Sequence, residues 1–217
     1  AIHNARLLAR TQQHATDQAS LLRVSQAAVS SLELDAVLAE IAQASLGVAN
    51  AEACAIEIWE PEQHATMLAA EATIQDWPGT ASVGALISFD DWPTTHRVIQ
   101  RQETLNLLAT DATLSERERE HLAEDGTQSV LMVPLIINAT SIGALNLFSR
   151  NPRRFTADEV GLAQELATQI AIAIDRARLH EALRERADTD GLTNVLNHRA
   201  ILETLDTELA RIRRGGP

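Results

Sequence analysis

Aromatic and ionisable residues stand together between positions 72 and 128: Trp77, Trp92, His96, Arg97 and Asp111, in a stretch broken by Trp77-Pro-Gly79. An aromatic floor beside an ionisable group suits a small planar or charged molecule. A plainer reading is the stronger one on sequence grounds: the tryptophans fill a core and His96 caps a turn at the surface. Catalytic groups are scarcer. The single cysteine, Cys54, is far in sequence from any histidine, so it has neither a resolving partner nor an obvious activator. One thiol also excludes an internal disulfide framework and a zinc site of several thiolates. The histidines, at 3, 14, 64, 96, 121, 180 and 198, show no i, i+4 pair and no thiol or carboxylate at metal-binding spacing. His96 as a haem or iron ligand is a minor alternative. Glu116-Arg-Glu-Arg-Glu120 alternates in sign, as a solvated helix face does, and no catalysis is assigned to it.

These residues need a scaffold. Leu34, Val37, Leu38, Ile41 and Val48 mark an amphipathic helix ending near Gly47 to Asn50. Ala53 to Glu60 and Ala65 to Glu71 read as strands of a hairpin about Pro61-Glu-Gln63. Another strand ends near Phe89, and Pro93 suits the first position of a short helix carrying Val98 and Ile99. Thr104 to Leu108 is a short strand, and Ser115-Glu-Arg-Glu118 is a capping box opening a charged helix that Gly126 closes. Ser129 to Ile137 and Ile142 to Ser149 are the strongest strands and are expected at the centre of the sheet. A second capping box, Thr156-Ala-Asp-Glu159, starts a helix unbroken to about Arg186, a rod of about 45 Å at 1.5 Å per residue. Leu162, Leu166, Ile170, Ala173 and Ala177 alternate four and three apart along it, the spacing of a coiled-coil seam, which predicts a homodimer through this helix. Beyond Ala177 a stripe through Leu179 and Leu183 takes over.

Composition narrows the partners. The chain has 217 residues and a formal net charge of −12, which opposes binding to a phosphate backbone, so no nucleic acid is expected. No apolar stretch approaches the roughly 18 residues that span a bilayer, and the lone thiol fits a reducing compartment; a cytoplasmic location is the expectation. Ala1-Ile-His-Asn-Ala-Arg-Leu7 is echoed by Ala173-Ile-Asp-Arg-Ala-Arg-Leu179. Residues 1–31, read as a signalling helix, are therefore weighed as the end of a preceding copy of the same domain.

Four segments together carry a resemblance: Ser129-Val-Leu-Met-Val-Pro-Leu135, Ile142-Gly-Ala-Leu145, Phe155-Thr-Ala-Asp-Glu159 and Ala167-Thr-Gln-Ile-Ala-Ile-Ala-Ile-Asp-Arg-Ala177. In this order they resemble a GAF domain over residues 32–177. The resemblance implies an α+β fold: a GAF-like antiparallel sheet with helices packed on it, flanked here by long N- and C-terminal signalling helices. It also implies a ligand cavity between the sheet and the irregular segment, at the five residues above. Pro134, without an N–H, belongs at a bulge or where the strand lacks a neighbour, and Gly143 lets another group approach its strand closely. The cofactor is unknown. Covalent bilin is disfavoured because Pro93-Thr-Thr-His-Arg97 lacks the attachment cysteine of bilin-binding relatives. Cyclic nucleotide is unsupported: Ser149-Arg150 replaces an Asn-Lys pair, and Phe155-x-x-Asp158-Glu159 is one residue shorter than the relatives' element.

Asp190-Gly-Leu-Thr-Asn-Val-Leu-Asn-His-Arg199 resembles the opening signature of GGDEF diguanylate cyclases, with His198 in place of the first of two arginines. Residues 178–189 then read as a linker helix and 190–217 as the truncated start of such a domain, without its metal-binding aspartate or its Gly-Gly-Asp/Glu-Glu-Phe turn. The resemblance implies that the chain as given is not itself an enzyme, that its parent makes cyclic di-GMP, and that Asp190, Leu192, Thr193, Asn197 and Arg199 transmit the signal. Three alternatives stay open: a ligand-free dimerising spacer, a domain that is itself a catalyst through Cys54 or His96, and an output other than a cyclase.

Overall fold

The structure, a computed structural model, describes residues 34–74, 77 and 82–188. Helix α1 (Leu34–Val48) precedes the hairpin β1 (Ala53–Glu60) and β2 (Ala65–Thr73), then β3 (Leu86–Ser88), α2 (Pro93–Arg101), β4 (Leu105–Leu108), α3 (Glu116–Glu124), β5 (Ser129–Ile137), β6 (Thr140–Ser149) and α4 (Ala157–Asp188). The strands form one antiparallel sheet in the order β3-β2-β1-β6-β5-β4. β6 is central as expected, whereas β5 stands second from the edge beside the short β4. The chain divides into two compact units, one through Ile174 and one from Asp175.

Local chemistry sets these boundaries. Pro61 starts a 3-10 turn, and His64 closes it in the left-handed region at φ 49°, donating its N–H to the Pro61 carbonyl. The Ser115 hydroxyl accepts from the Glu118 N–H while the Glu118 carboxylate accepts from the Ser115 N–H, which completes the capping box of α3. Thr156 and Glu159 repeat the exchange at the start of α4, at 3.3 Å and 2.7 Å. β4 pairs with β5 only as far as Leu105 opposite Met132, so Pro134 lies where β5 has lost one neighbour, next to a register shift at Leu135/Ile136. A residue without an N–H costs least there.

Period-two alternation gives the sheet two buried faces. Cys54, Ile56, Ile58, Leu131, Val133, Leu145 and Leu147 pack with α1 and the first part of α4. Val130, Met132 and Ala144 turn the other way, toward Val98 and Ile99 of α2 and Leu122 of α3. The expected dimer seam needs correction here. Leu166, Ile170 and Ala173 are 1 %, 0 % and 7 % exposed and belong to the core beneath the sheet, while Leu162 and Ala177 are half-buried. A four-three stripe serves a sheet as well as a partner helix, and the chain's own sheet occupies this one. The solvated face expected at Glu116 to Glu120 is also interrupted, because Glu118 is fully buried. The expected N-terminal signalling helix, with Ala1 to Leu7, and the segment carrying Asp190, Leu192, Thr193, Asn197 and Arg199 lie outside the described residues.

Candidate functional site

Between the second face of the sheet and helices α2 and α3 lies a cavity of about 420 Å³. The sequence of β1 makes its floor. Ala53, Ala55 and Glu57 point to the cavity while the intervening Cys54 and Ile56 enter the core, and the two alanines are too small to fill the space. β6 adds Asn146 and Phe148 by the same alternation. Trp92 and Thr95 come from the start of α2, His121 and Leu122 from α3, and Trp77 from the irregular segment.

A polar network sits in this floor. Glu57 is 5 % exposed; one carboxylate oxygen accepts from the Thr66 hydroxyl at 2.5 Å and the other from Asn146 Nδ2 at 2.7 Å. Asn146 Oδ1 and Thr127 Oγ1 are buried with no hydrogen-bond partner, and both residues line the cavity. A buried oxygen left unpaired costs about 1–3 kcal/mol unless something bonds to it. Both atoms are themselves closed off from the cavity's accessible space.

The walls are acidic. Glu71, Asp91, Glu124 and Asp125 line the cavity with Glu57, against His121 as the basic group. Asp91 pairs with Arg117 at 2.7 Å, and His121 lies 3.8 Å from Glu124. The Asp125 carboxyl is raised above its ordinary value by burial and by the nearby Glu124 and Glu71, with His121 and Arg150 acting in the opposite sense. Both indoles already meet positive or ionisable groups: the Arg150 guanidinium stands 4.6 Å from the Trp77 ring centroid, and His121 stacks on Trp92 at 5.7 Å and 19°.

The structure separates the five residues expected at the site. Trp77 and Trp92 line the cavity. His96, Arg97 and Asp111 do not. Thr95 faces the cavity, so the next residue along α2, about 100° round the helix, turns away. The His96 ring stacks on Phe89 at 4.3 Å and meets His64 edge-on at 5.1 Å, and burial, then His64, lowers its pKa. Arg97 pairs with Glu103 at 2.5 Å. Asp111 accepts from the Leu108 N–H at 2.8 Å, and its two carboxylate oxygens share Arg154 Nη2 at 3.1 and 2.9 Å, tying the end of β4 to the approach to α4. Sequence reasoning missed Glu57, Asn146 and Thr127. The signal for the first two was available, since a carboxylate and an amide alternate with apolar residues inside otherwise apolar strands. Cys54 is buried and its thiol is pushed up to about 12, chiefly by burial, which leaves it a packing residue. Among the described residues there is no cluster of metal-ligating side chains, and no helix is long and apolar enough to cross a membrane.

Burial raises the Glu57 carboxyl above the ordinary glutamate range, against the Thr66 and Asn146 bonds that favour its ionised form. The folded chain therefore holds this proton more tightly than the unfolded chain. Stability from this group is complete below the ordinary glutamate range and is lost as pH rises from there to the folded value. Each tenfold difference in proton affinity is worth about 1.4 kcal/mol. Paired denaturation curves of the wild type and Glu57→Gln are expected to diverge with rising pH across that window, the variant gaining relative stability. A gap independent of pH would show that the buried carboxyl does not titrate with folding.

Comparison with known proteins agrees with this geometry. A family model described as GAF domain matches residues 33–174. Among solved structures, the phycocyanobilin-bound GAF domain of a cyanobacterial phytochrome aligns with a TM-score of 0.65 and 18% identity, covering 76% of this chain and 96% of that one. The GAF domain of a phosphoenolpyruvate-protein phosphotransferase from Coxiella burnetii aligns at 0.63 and 23% identity, covering 76% and 96%. Residues 122 to 287 of a methyl-accepting chemotaxis protein align at 0.60 and 17% identity, covering 73% of this chain and 99% of that segment. No curated protein matches the chain. At these identities the structural likeness shows the fold, and the family match extends over most of the sequence. An antiparallel sheet walled on one face by helices and hollowed on the other is thus the frame of a signalling sensor module, and the chain belongs to the GAF domain family.

Proposed function

We propose that this domain is the regulatory sensor of a diguanylate cyclase, coupling occupancy of the cavity to cyclic di-GMP synthesis by a GGDEF domain that follows it. The observation that carries the sensing half is the cavity of about 420 Å³ lined by Trp77, Trp92 and the hydrogen-bonded Glu57 and Asn146. The output half rests on the resemblance of Asp190 to Arg199 to the GGDEF opening signature. In this reading the domain regulates and does not catalyse, and two copies pair through the helical segment beyond Ala177, since Leu166, Ile170 and Ala173 are committed to the core. Leu179, 60 % exposed, offers an apolar contact for that pairing. The mechanical link runs from β6, whose Asn146 touches the cavity and whose Leu145 and Leu147 pack in the core that holds Ile170 and Ile174 of α4. An occupant that moves β6 must bind the two positions of α4 with different affinity to carry a signal.

The test is conversion of GTP to cyclic di-GMP by the parent protein, with and without Ala55→Phe, which fills the cavity. Product formation whose rate changes severalfold in the variant is expected. Absence of the product sinks the cyclase assignment, and an unchanged rate and ligand response sink the coupling.

A further inference from the structure

We propose that His64 and His96 together bind a divalent transition-metal ion of the zinc class, with water in the remaining coordination positions. The site goes beyond the sensing reading and does not depend on it, since neither histidine lines the cavity. Spacing is the first ground. A zinc–imidazole bond of about 2.0–2.1 Å puts each ring centroid about 3.2 Å from the ion, and a tetrahedral angle between two such bonds separates the centroids by about 5.2 Å. The two rings stand 5.1 Å apart, with their planes at 77°.

Availability is the second ground. Among the described residues neither imidazole is engaged in a hydrogen bond or an ion pair, so the ring nitrogens are open to a ligand. Arg97, next along α2, is held by Glu103 at 2.5 Å and brings no rival charge. His64 is exposed and His96 half-buried, so an ion reaches both from solvent. Burial, then His64, lowers the His96 pKa, which favours the neutral ring that a metal requires. Support is the third ground. The Phe89 ring, 3 % exposed, stacks on His96 at 4.3 Å and meets His64 edge-on at 5.3 Å, while the Phe89 N–H donates to the His64 carbonyl at 3.3 Å. One buried residue thus steadies both rings, and ligands held in place before the ion arrives lose little freedom on binding it. No third metal-ligating side chain joins the pair among the described residues, so the site is open and exchangeable rather than a closed structural one. Imidazole selects zinc over magnesium, which takes oxygen ligands. An ion here staples the turn after β1 to α2.

The experiment is calorimetric titration of the whole, untagged chain with zinc chloride and with magnesium chloride at about pH 7.5, repeated at about pH 5.5. Zinc is expected to bind and magnesium is not, and the zinc affinity should fall by about tenfold or more at the lower pH, where protons compete for imidazole. His64→Asn removes one ligand with a residue that tolerates the left-handed backbone at φ 49°, and His96→Ala removes the other. Each should weaken zinc by about tenfold or more, since even a ligand's supporting partner is worth that much. Each should also abolish the rise in thermal midpoint that zinc gives the unaltered chain. Thermal unfolding without zinc verifies that the variants fold, and because His64 is exposed its variant decides the question even if His96→Ala unfolds. Zinc affinity unchanged in His64→Asn, which would place the ion on other histidines only, overturns the site, as does the absence of zinc binding by the unaltered chain.

Discussion

Gly143→Ala is expected to lower the thermal midpoint by about 10 °C or to prevent folding, as measured by calorimetry. Gly143 pairs with Ile58 across the β1–β6 ladder. A Cβ built there would lie 2.0 Å from the Glu57 carbonyl oxygen and 3.2 Å from Ile58 Cα. Both atoms are backbone, so no side chain can swing aside and the two central strands must separate. Overpacking that side chains absorb costs about 1–3 kcal/mol, and a backbone collision in the middle of a sheet belongs at or above the top of that range. The damage falls on the cavity floor as well, because the displaced residue is Glu57. Gly161→Ala is the control. Nothing stands within 4 Å of its Cβ, it lies inside α4, and alanine there is expected to stabilise by about 0.5–1 kcal/mol. Equal effects at the two glycines would refute the steric account.

The second large effect is expected at Glu118. Its side chain is fully buried and satisfies three donors: the Thr94 N–H at 2.8 Å, the Thr94 hydroxyl at 3.0 Å and the Ser115 N–H at 2.7 Å. One carboxylate thus serves the first turn of α2 and the cap of α3, and it pins together the two helices that cover the cavity. Glu118→Ala strands buried donors and opens a void, at a cost of about 3–5 kcal/mol in urea denaturation. Glu118→Gln keeps the shape and one acceptor oxygen, and its cost should be about half. Charge alone cannot explain that ranking; if glutamine were as damaging as alanine, the ionised state rather than the hydrogen-bond inventory would hold the helices. Ser115→Ala removes only the reciprocal half of the box and should cost about 1 kcal/mol.

Residues 34–188 show where sequence reading succeeds. Elements with punctuation were legible: Pro93 opens α2, Ser115 and Thr156 open α3 and α4, and β1 has the bounds that its composition indicated. The close approach at Gly143 and the place of Pro134 followed from what those residues lack, a side chain and an N–H. Such constraints act within a few residues of the chain and need no knowledge of its partners.

The site was legible only where residue type dominates. Trp77 and Trp92 are large enough to be drawn to a hollow wherever their segment lies, whereas His96 and Arg97 depend on the angle at which α2 meets the sheet. Asp111 has the chemistry of a ligand group, yet an arginine 43 residues later claims it. Glu118 looked solvated because its neighbours at 116, 117 and 120 are, and its buried role comes from Thr94, 24 residues away. The four-three stripe of α4 recorded that this face is apolar but not what would cover it.

The sequence by itself determined the order of the elements, their caps, the strand faces and the family, because these rest on local hydrogen bonding and on periodicity. Tertiary structure decided which alternate residues of β1 and β6 meet across a cavity, which side of α4 the sheet consumes, and which oxygens remain unpaired. The physical reason is that hydrogen-bond satisfaction and cavity volume are properties of groups brought together from distant parts of the chain, and neither exists until the sheet has closed the distance between them.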